Sequence, residues 1–229
     1  VKEVAGTGKP VIVVLVNGRP PAIAWIAENV PAILESWMGG TESGNAIADI
    51  LFGDVNPGGK LPVTFPRATG QVPIYYNHTS TGRPPDANNR YTSKYFDFPW
   101  TPQFPFGFGL SYTQFKISNV QVTAAQIRPD GTVRVTAEVE NVGKRAGDEV
   151  VQLYVRDVAA SIVRPVKELK GFQRVTLQPG EKRRIEFTLG PEHLGFYNAQ
   201  MKFVVEPGEF RVMVGSNSQD VIEKTFAVN

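Results

Sequence analysis

After Pro10 the chain reads Val-Ile-Val-Val-Leu-Val to Val16, a continuous apolar run of the kind a strand needs when both faces of a parallel sheet are covered. Asn17-Gly18-Arg19-Pro20-Pro21 breaks that run. Residues 22–28 then predict a short helix with a proline near its first turn, and residues 32–37 predict a second strand. Ala46, Ile47, Ile50 and Leu51 recur at i, i+1, i+4 and i+5, which gives a further helix one apolar face. Gly53 is placed to end it, and residues 54–60 turn the chain back. Residues 60–65 predict a last short strand, at a sheet edge because prolines flank it.

From Pro66 to Gly109 neither period persists, and the chain becomes dense in Pro, Gly, Asn and aromatic residues. A stretch of that length without regular structure belongs to a linker or to a functional lid. Tyr75, Tyr76, Tyr91, Tyr95, Phe96, Phe98, Trp100, Phe104, Phe106 and Phe108 make it too apolar for a solvated tether, so it must lie against protein. Beyond Phe115 the period becomes two. Val133, Val135, Ala137 and Val139 alternate with Arg134, Thr136 and Glu138, the signature of a sheet with one buried face. Turns at Pro129-Asp130-Gly131, Asn141-Val142-Gly143, Gln178-Pro179-Gly180 and Glu206-Pro207-Gly208 space about seven strands, which predicts a β-sandwich. The expected organisation is therefore a mixed helix and strand part over residues 1–66, a long loop over 67–112 and an all-β sandwich over 113–229.

Composition narrows the function classes. With 229 residues, 41% of them hydrophobic, the chain is long enough for two cores, and no apolar run reaches membrane-spanning length. A formal net charge of +2, with cations scattered among carboxylates, gives no electrostatic footprint for nucleic acid. The densest basic cluster, Lys182-Arg183-Arg184, lies between Glu181 and Glu186 and reads as a solvated strand face. The absence of cysteine excludes disulfides and thiolate zinc sites, and His78 and His193 are too few for a histidine-rich metal centre. Val1 to Ala5 has neither the apolar core nor the cleavage site of a signal peptide, and the expectation is that the chain begins inside a longer protein.

One stretch carries more than a fold signal. Trp37, the glycine turn Gly39-Gly40 with Glu42, and then Asn45 to Asp54, Asn56 to Pro62 and Thr64 to Pro66 resemble the signature of the C-terminal α/β-sandwich domain of family 3 glycoside hydrolases, with Gly58-Gly59 where that family commonly has Ser-Gly. Val16 to Pro20 and Phe104 to Thr113 resemble the same family in the right order, most of all its bacterial periplasmic β-glucosidases. Residues 138–143, 169–172 and 177–181 look like the fibronectin type III-like domain that closes many of these enzymes.

The resemblance implies a fold of two kinds: an α/β-sandwich portion, mostly parallel sheet with flanking helices, followed by a fibronectin type III-like sandwich. It implies hydrolysis of terminal β-D-glucosyl residues from β-glucosides or cello-oligosaccharides by two carboxyl groups, with no cofactor and no metal. The nucleophile, and by the same resemblance the acid/base, would come from outside this segment, the nucleophile from a (β/α)8-barrel domain of the same enzyme, so no catalytic residue is assigned here. A homodimer and a periplasmic or secreted bacterial location fit the same reading. β-Xylosidase activity is an alternative within the family, and a non-catalytic carbohydrate-binding or adhesion module is the alternative from another class.

Four residues stand out as candidates for chemistry. Arg83, Tyr95 and Phe96 sit on a long proline-pinned loop, and rings with a guanidinium suit the apolar faces and hydroxyls of a sugar; the competing reading is that the rings only staple loop to domain. Glu42 follows a strand's carboxyl end and precedes a helix, where open α/β sheets place ligands; the competing reading is a carboxylate at a helix N-terminus. Glu35 reads as a buried mid-strand residue, open to an ion pair with another domain, and Trp25 and Trp37 read as core or interface rings. Asn77-His78-Thr79 is a glycosylation sequon with no further support.

Overall fold

The apolar run after Pro10 condenses into a four-residue strand, and the signature stretch into a ten-residue helix, in the computed structural model, which describes residues 1–229. The order is α1 (Lys2–Ala5), β1 (Ile12–Leu15), α2 (Ala24–Asn29), β2 (Ala32–Glu35) and α3 (Ser43–Phe52). β1 and β2 pair in parallel, from Ile12 opposite Ala32 to Leu15 opposite Glu35. α3 stops at Gly53, whose φ of 83° is the left-handed geometry that only a residue without Cβ adopts freely.

Three expectations for this part need correction. β1 is not covered on both faces: its sheet has only two strands, and Ile12 is 51% exposed. Glu35 is the last residue of β2 and half-buried, not a buried mid-strand residue. Residues 60–65 form no strand. Pro62 has no N–H to donate, and the segment instead lies along 103–108 through the isolated Phe65–Phe104 bridge and the Leu61 N–H donating to the Phe108 carbonyl at 2.8 Å.

The rest of the chain is strand. Seven strands of eight to eleven residues carry it: β3 (Phe115–Val122), β5 (Val133–Asn141), β6 (Gly147–Asp157), β7 (Glu168–Leu177), β8 (Lys182–Leu189), β11 (Gly208–Gly215) and β12 (Val221–Val228). The two-residue pieces β4 (Gln126–Ile127), β9 (Phe196–Tyr197) and β10 (Phe203–Val204), with one helical turn α4 (Pro191–Leu194), fill the connections. A five-stranded sheet ordered β4-β12-β11-β6-β7 faces a three-stranded sheet ordered β3-β5-β8. The alternation read along 133–139 is the inward face, with Val133, Val135, Ala137 and Val139 inside a core of 19 residues that includes Leu153, Leu177 and Phe210. Each such side chain contributes about 1.5–3 kcal/mol by leaving water. Lys182 of the basic cluster faces Glu140 at 3.3 Å, Arg183 faces Glu181, and Arg184 is exposed, so the cluster is a solvated strand face with two of its three charges paired.

The signature turn after α3 is where the two parts meet. The Lys60 ammonium lies 2.8 Å from Glu149 on β6 and donates to the Gly109 carbonyl at 3.0 Å, with the two charged side chains only 13% and 8% exposed. Arg145 donates to the Gly53 carbonyl at 3.0 Å, and the Tyr112 hydroxyl donates to the Ile50 carbonyl at 2.7 Å. Asn56 donates to the Ala146 carbonyl and accepts from Ser111 and the Tyr112 N–H, each at 2.8 Å. A Cβ on Gly109 would stand 2.2 Å from the Gly59 carbonyl oxygen, so only glycine fits at residue 109.

Candidate functional site

The long loop is a closed excursion with a built neck. Gln71, 3% exposed, accepts from the Arg67 N–H at 2.6 Å and donates to the Pro99 carbonyl at 3.1 Å, while Arg67 Nε donates to the Thr101 carbonyl at 2.9 Å. Further out, the limbs are joined by the Thr81 hydroxyl donating to Ser93 Oγ at 3.0 Å and by the Ser93 N–H donating to the Arg83 carbonyl at 3.0 Å. The tip is organised from within: Asp86 accepts from the Asn88 N–H at 2.8 Å, and Lys94 donates to the Ala87 carbonyl at 3.0 Å.

That pairing puts Arg83 beside the limb that carries Tyr95 and Phe96. Arg83 is exposed and its guanidinium has no hydrogen-bond or ion-pair partner in the chain. Phe96 is 80% exposed, as is Tyr91 at 74%. Tyr95 differs: its ring stacks on Phe98 at 4.5 Å and its hydroxyl donates to the Gly70 carbonyl at 3.1 Å, so one face and the polar end are already engaged. The set offers an arginine and ring faces, which suits hydrogen bonding and stacking and not proton transfer.

Glu42 lies elsewhere. It is the residue before α3, exposed, and its carboxylate accepts from the Asn45 side chain at 2.6 Å without bonding the helix's backbone N–H groups. No hydrogen bond joins it to the loop. At the carboxyl ends of β1 and β2, Glu35 is held from both sides, Oε2 accepting from Asn17 at 3.0 Å and Oε1 from the Trp37 N–H at 2.9 Å. Trp37 has φ of 51°, a left-handed backbone that costs an L-residue about 1–2 kcal/mol. The Glu35 bond and the ring's edge-on contact with Phe65 at 6.0 Å hold it there.

Sequence reasoning passed over a charge cluster under the loop's base. Arg164 donates to Glu168 at 2.7 Å, faces Asp157 at 3.5 Å and covers the Phe196 ring at 4.7 Å. Burial raises the Asp157 carboxyl above its ordinary range despite Arg164. Burial works the same way on Glu168, but the bonds from Arg164 and Lys170 outweigh it and hold that carboxyl low. Burial also lowers Lys167, whose ammonium donates to the Ser218 carbonyl at 2.7 Å. Only the high cation density of residues 164–170 marks this cluster in the sequence. No group of three or more His, Asp or Glu side chains is arranged to hold a metal ion.

Residues 1–112 match the profile of the glycosyl hydrolase family 3 C-terminal domain, and residues 149–218 match that of the fibronectin type III-like domain. The chain belongs to glycoside hydrolase family 3. It is 52% identical over 222 residues to a periplasmic beta-glucosidase of Salmonella typhimurium, an alignment that covers 96% of this chain and 29% of that protein. A beta-xylosidase of Formosa agariphila is 51% identical over 219 residues, with 96% and 30% covered. The crystal structure of a beta-glucosidase from Listeria innocua in complex with glucose superposes with a TM-score of 0.95 at 44% identity, over all of this chain and 32% of that one. This family 3 chain therefore spans about three-tenths of the length of the relatives it matches.

Proposed function

We propose that this chain is the C-terminal part of a retaining exo-acting β-glucosidase that removes terminal β-D-glucosyl residues from oligosaccharides and glycosides. The observation that carries the reading is the likeness, along the entire chain, to a beta-glucosidase whose crystal holds glucose. In this reading residues 1–66 are the second half of the family's α/β sandwich, 67–112 the linker and active-site loop, and 113–229 the terminal sandwich. The apolar surface supports that division. Ile12, Val16, Met38 and Phe52 are each at least 51% exposed around a two-stranded sheet with both edges open, a surface that calls for further strands and helices.

Retaining hydrolysis requires two carboxyl groups about 5–5.5 Å apart on either side of the scissile bond. Glu35 is committed to Asn17 and Trp37, and Glu42 to Asn45, so both carboxyl groups are proposed to come from outside this segment, the nucleophile from a barrel domain of the same protein. Arg83, Tyr95 and Phe96 then serve as an outer sugar-contacting set, in their own subunit or across a homodimer. The match to a periplasmic relative supports a periplasmic location, and no helix is long and apolar enough to cross a membrane.

The test is kinetic. The 229 residues alone are expected to hydrolyse no aryl β-glucoside, whereas the full-length protein does. In the full-length protein, Arg83→Ala and Phe96→Ala are expected to lower kcat/KM on cellobiose by about 1–3 kcal/mol, the size of a charged hydrogen bond or a ring contact, with melting temperature unchanged. Wild-type kinetics together with a lower melting temperature would make the loop a structural staple. The 51% identity to a beta-xylosidase favours one second reading, β-xyloside hydrolysis, which a comparison of aryl β-glucoside with aryl β-xyloside decides.

A further inference from the structure

The loop that carries Arg83 and Phe96 meets the sandwich at one short seam. The Val166 N–H donates to the His78 carbonyl at 2.8 Å, and Thr79 and Pro165 form an isolated antiparallel bridge. Tyr76, two residues before His78, stacks on Phe106 at 4.4 Å and accepts from the Leu169 N–H at 3.3 Å. Immediately beyond the seam, Ser80 and Gly82 stand with Asp157, Ser161 and Arg164 around an open cavity of about 520 Å³. The sandwich therefore supports the limb that leads to Arg83 at the seam, and beyond it the limb is tied to the opposite limb through Ser93.

On the sandwich side the two seam residues, Pro165 and Val166, directly follow Arg164. Its side chain is 10% exposed and has three supports: Glu168 Oε2 at 2.7 Å, the Phe196 ring at 4.7 Å and, for Nη1, Asp157 Oδ2 at 3.5 Å. Asp157 Oδ2 and Arg164 Nη1 are buried atoms without a hydrogen-bond partner, so the contact between these two atoms is held by charge alone behind the cavity wall. A buried pair of this kind is weak evidence for stability but fixes geometry, because loss of either partner leaves an uncompensated buried charge. Arg164 thus joins the end of β6 to the start of β7 and sets the direction in which Pro165 and Val166 leave. Pro165 has no N–H, so the seam's sandwich side donates through Val166.

We propose that Arg164 is a positioning residue for the loop: by fixing residues 164–166 it sets, through the Val166–His78 and Pro165–Thr79 contacts, the place of the Arg83 to Phe96 limbs. Its consequence for catalysis rests on the reading of those residues as sugar contacts, whereas its consequence for loop order does not. Without Arg164, Asp157 remains a buried carboxylate with no cation, whereas Glu168, 30% exposed, keeps Lys170 at 3.2 Å; the 158–166 connection rearranges to hydrate Asp157, and the seam opens.

The experiment uses the full-length protein with Arg164→Met, the conservative Arg164→Lys and, to open the seam without touching the cluster, Val166→Pro. Tryptic cleavage after Arg90 and Lys94 reports loop order. It is expected to quicken about tenfold in Arg164→Met and in Val166→Pro, and to return toward the parent rate in Arg164→Lys. KM for cellobiose is expected to rise about tenfold in the same two variants, while kcat/KM on an aryl β-glucoside stays within about twofold. Unchanged cleavage in Arg164→Met overturns the positioning role, whether or not Val166→Pro quickens it. Faster cleavage with unchanged cellobiose kinetics supports the positioning role and overturns the sugar-contact reading on which its catalytic consequence depends.

Discussion

Lys60→Ala is expected to lower the unfolding free energy by about 3–5 kcal/mol, far more than loss of a surface lysine, because it strands Glu149. The Glu149 side chain is 8% exposed, and its nearest cation is the Lys60 ammonium at 2.8 Å. Removing the cation leaves a carboxylate with one backbone N–H, that of Val150 at 2.8 Å, and too little water to replace the lost charge. The Gly109 carbonyl, which accepts from the same ammonium at 3.0 Å, loses its donor as well. The double variant Lys60→Met with Glu149→Met is expected to recover most of the loss, since an apolar pair of similar size avoids the uncompensated charge. The check is the urea midpoint at constant slope, with the exposed Lys182→Ala as reference. Equal losses at Lys60 and Lys182 would mean that Glu149 reaches water and that the contact between the two parts is not charge-locked.

The second large effect belongs to Phe65. Phe65→Ala is expected to cost about 3–5 kcal/mol, the range for emptying a buried aromatic site. The ring is 1% exposed, edge-on to Trp37 at 6.0 Å and to Phe104 at 6.1 Å, and Phe104 in turn stacks on Phe108 at 5.1 Å. It is the common neighbour of the strand-end turn and the returning arm of the loop. The backbone there is also engaged, with the Phe65 N–H donating to the Phe104 carbonyl at 2.9 Å, so the walls cannot collapse into the void. Phe65→Leu keeps most of the volume and is expected to lose less than about 1.5 kcal/mol. Thermal and denaturant unfolding measure both, and a Phe65→Ala loss below about 1 kcal/mol would show that the site repacks.

These two positions show how far the sequence reaches. Residues 60 and 65 both belong to the family signature, and local pattern reads them as an edge strand. The apolar alternation is real, but the partner that makes the stretch extended is the 103–108 segment some forty residues later, and the prolines limit the pairing to isolated bonds. The long strands of the sandwich were legible from the turn residues that space them and, along 133–139, from alternation; β6 and β11 carry no such alternation, since residues 151–155 and 212–215 are buried in succession. The helix over residues 43–52 was legible from its own spacing, although its apolar face meets little of this chain: Ala46 is exposed and Ile47, Ile50 and Leu51 are only half-buried.

The sequence by itself determined the family, the change of period at Phe115 and the presence of a long aromatic loop, because spacing, turn chemistry and a contiguous signature are properties of neighbouring residues. Only the tertiary structure decided what the charged residues do. Lys60 reaches Glu149, Arg145 reaches Gly53 and Arg164 underlies the His78–Val166 seam, contacts that span up to 92 positions. No periodicity records which of 24 cations meets which of 22 carboxylates, since that choice follows from where surfaces distant in the sequence touch. The loop divides on the same line: its rings announced contact with protein, but the stacking of Tyr95 on Phe98 and the exposure of Phe96 were fixed by a neck and a seam formed with distant residues.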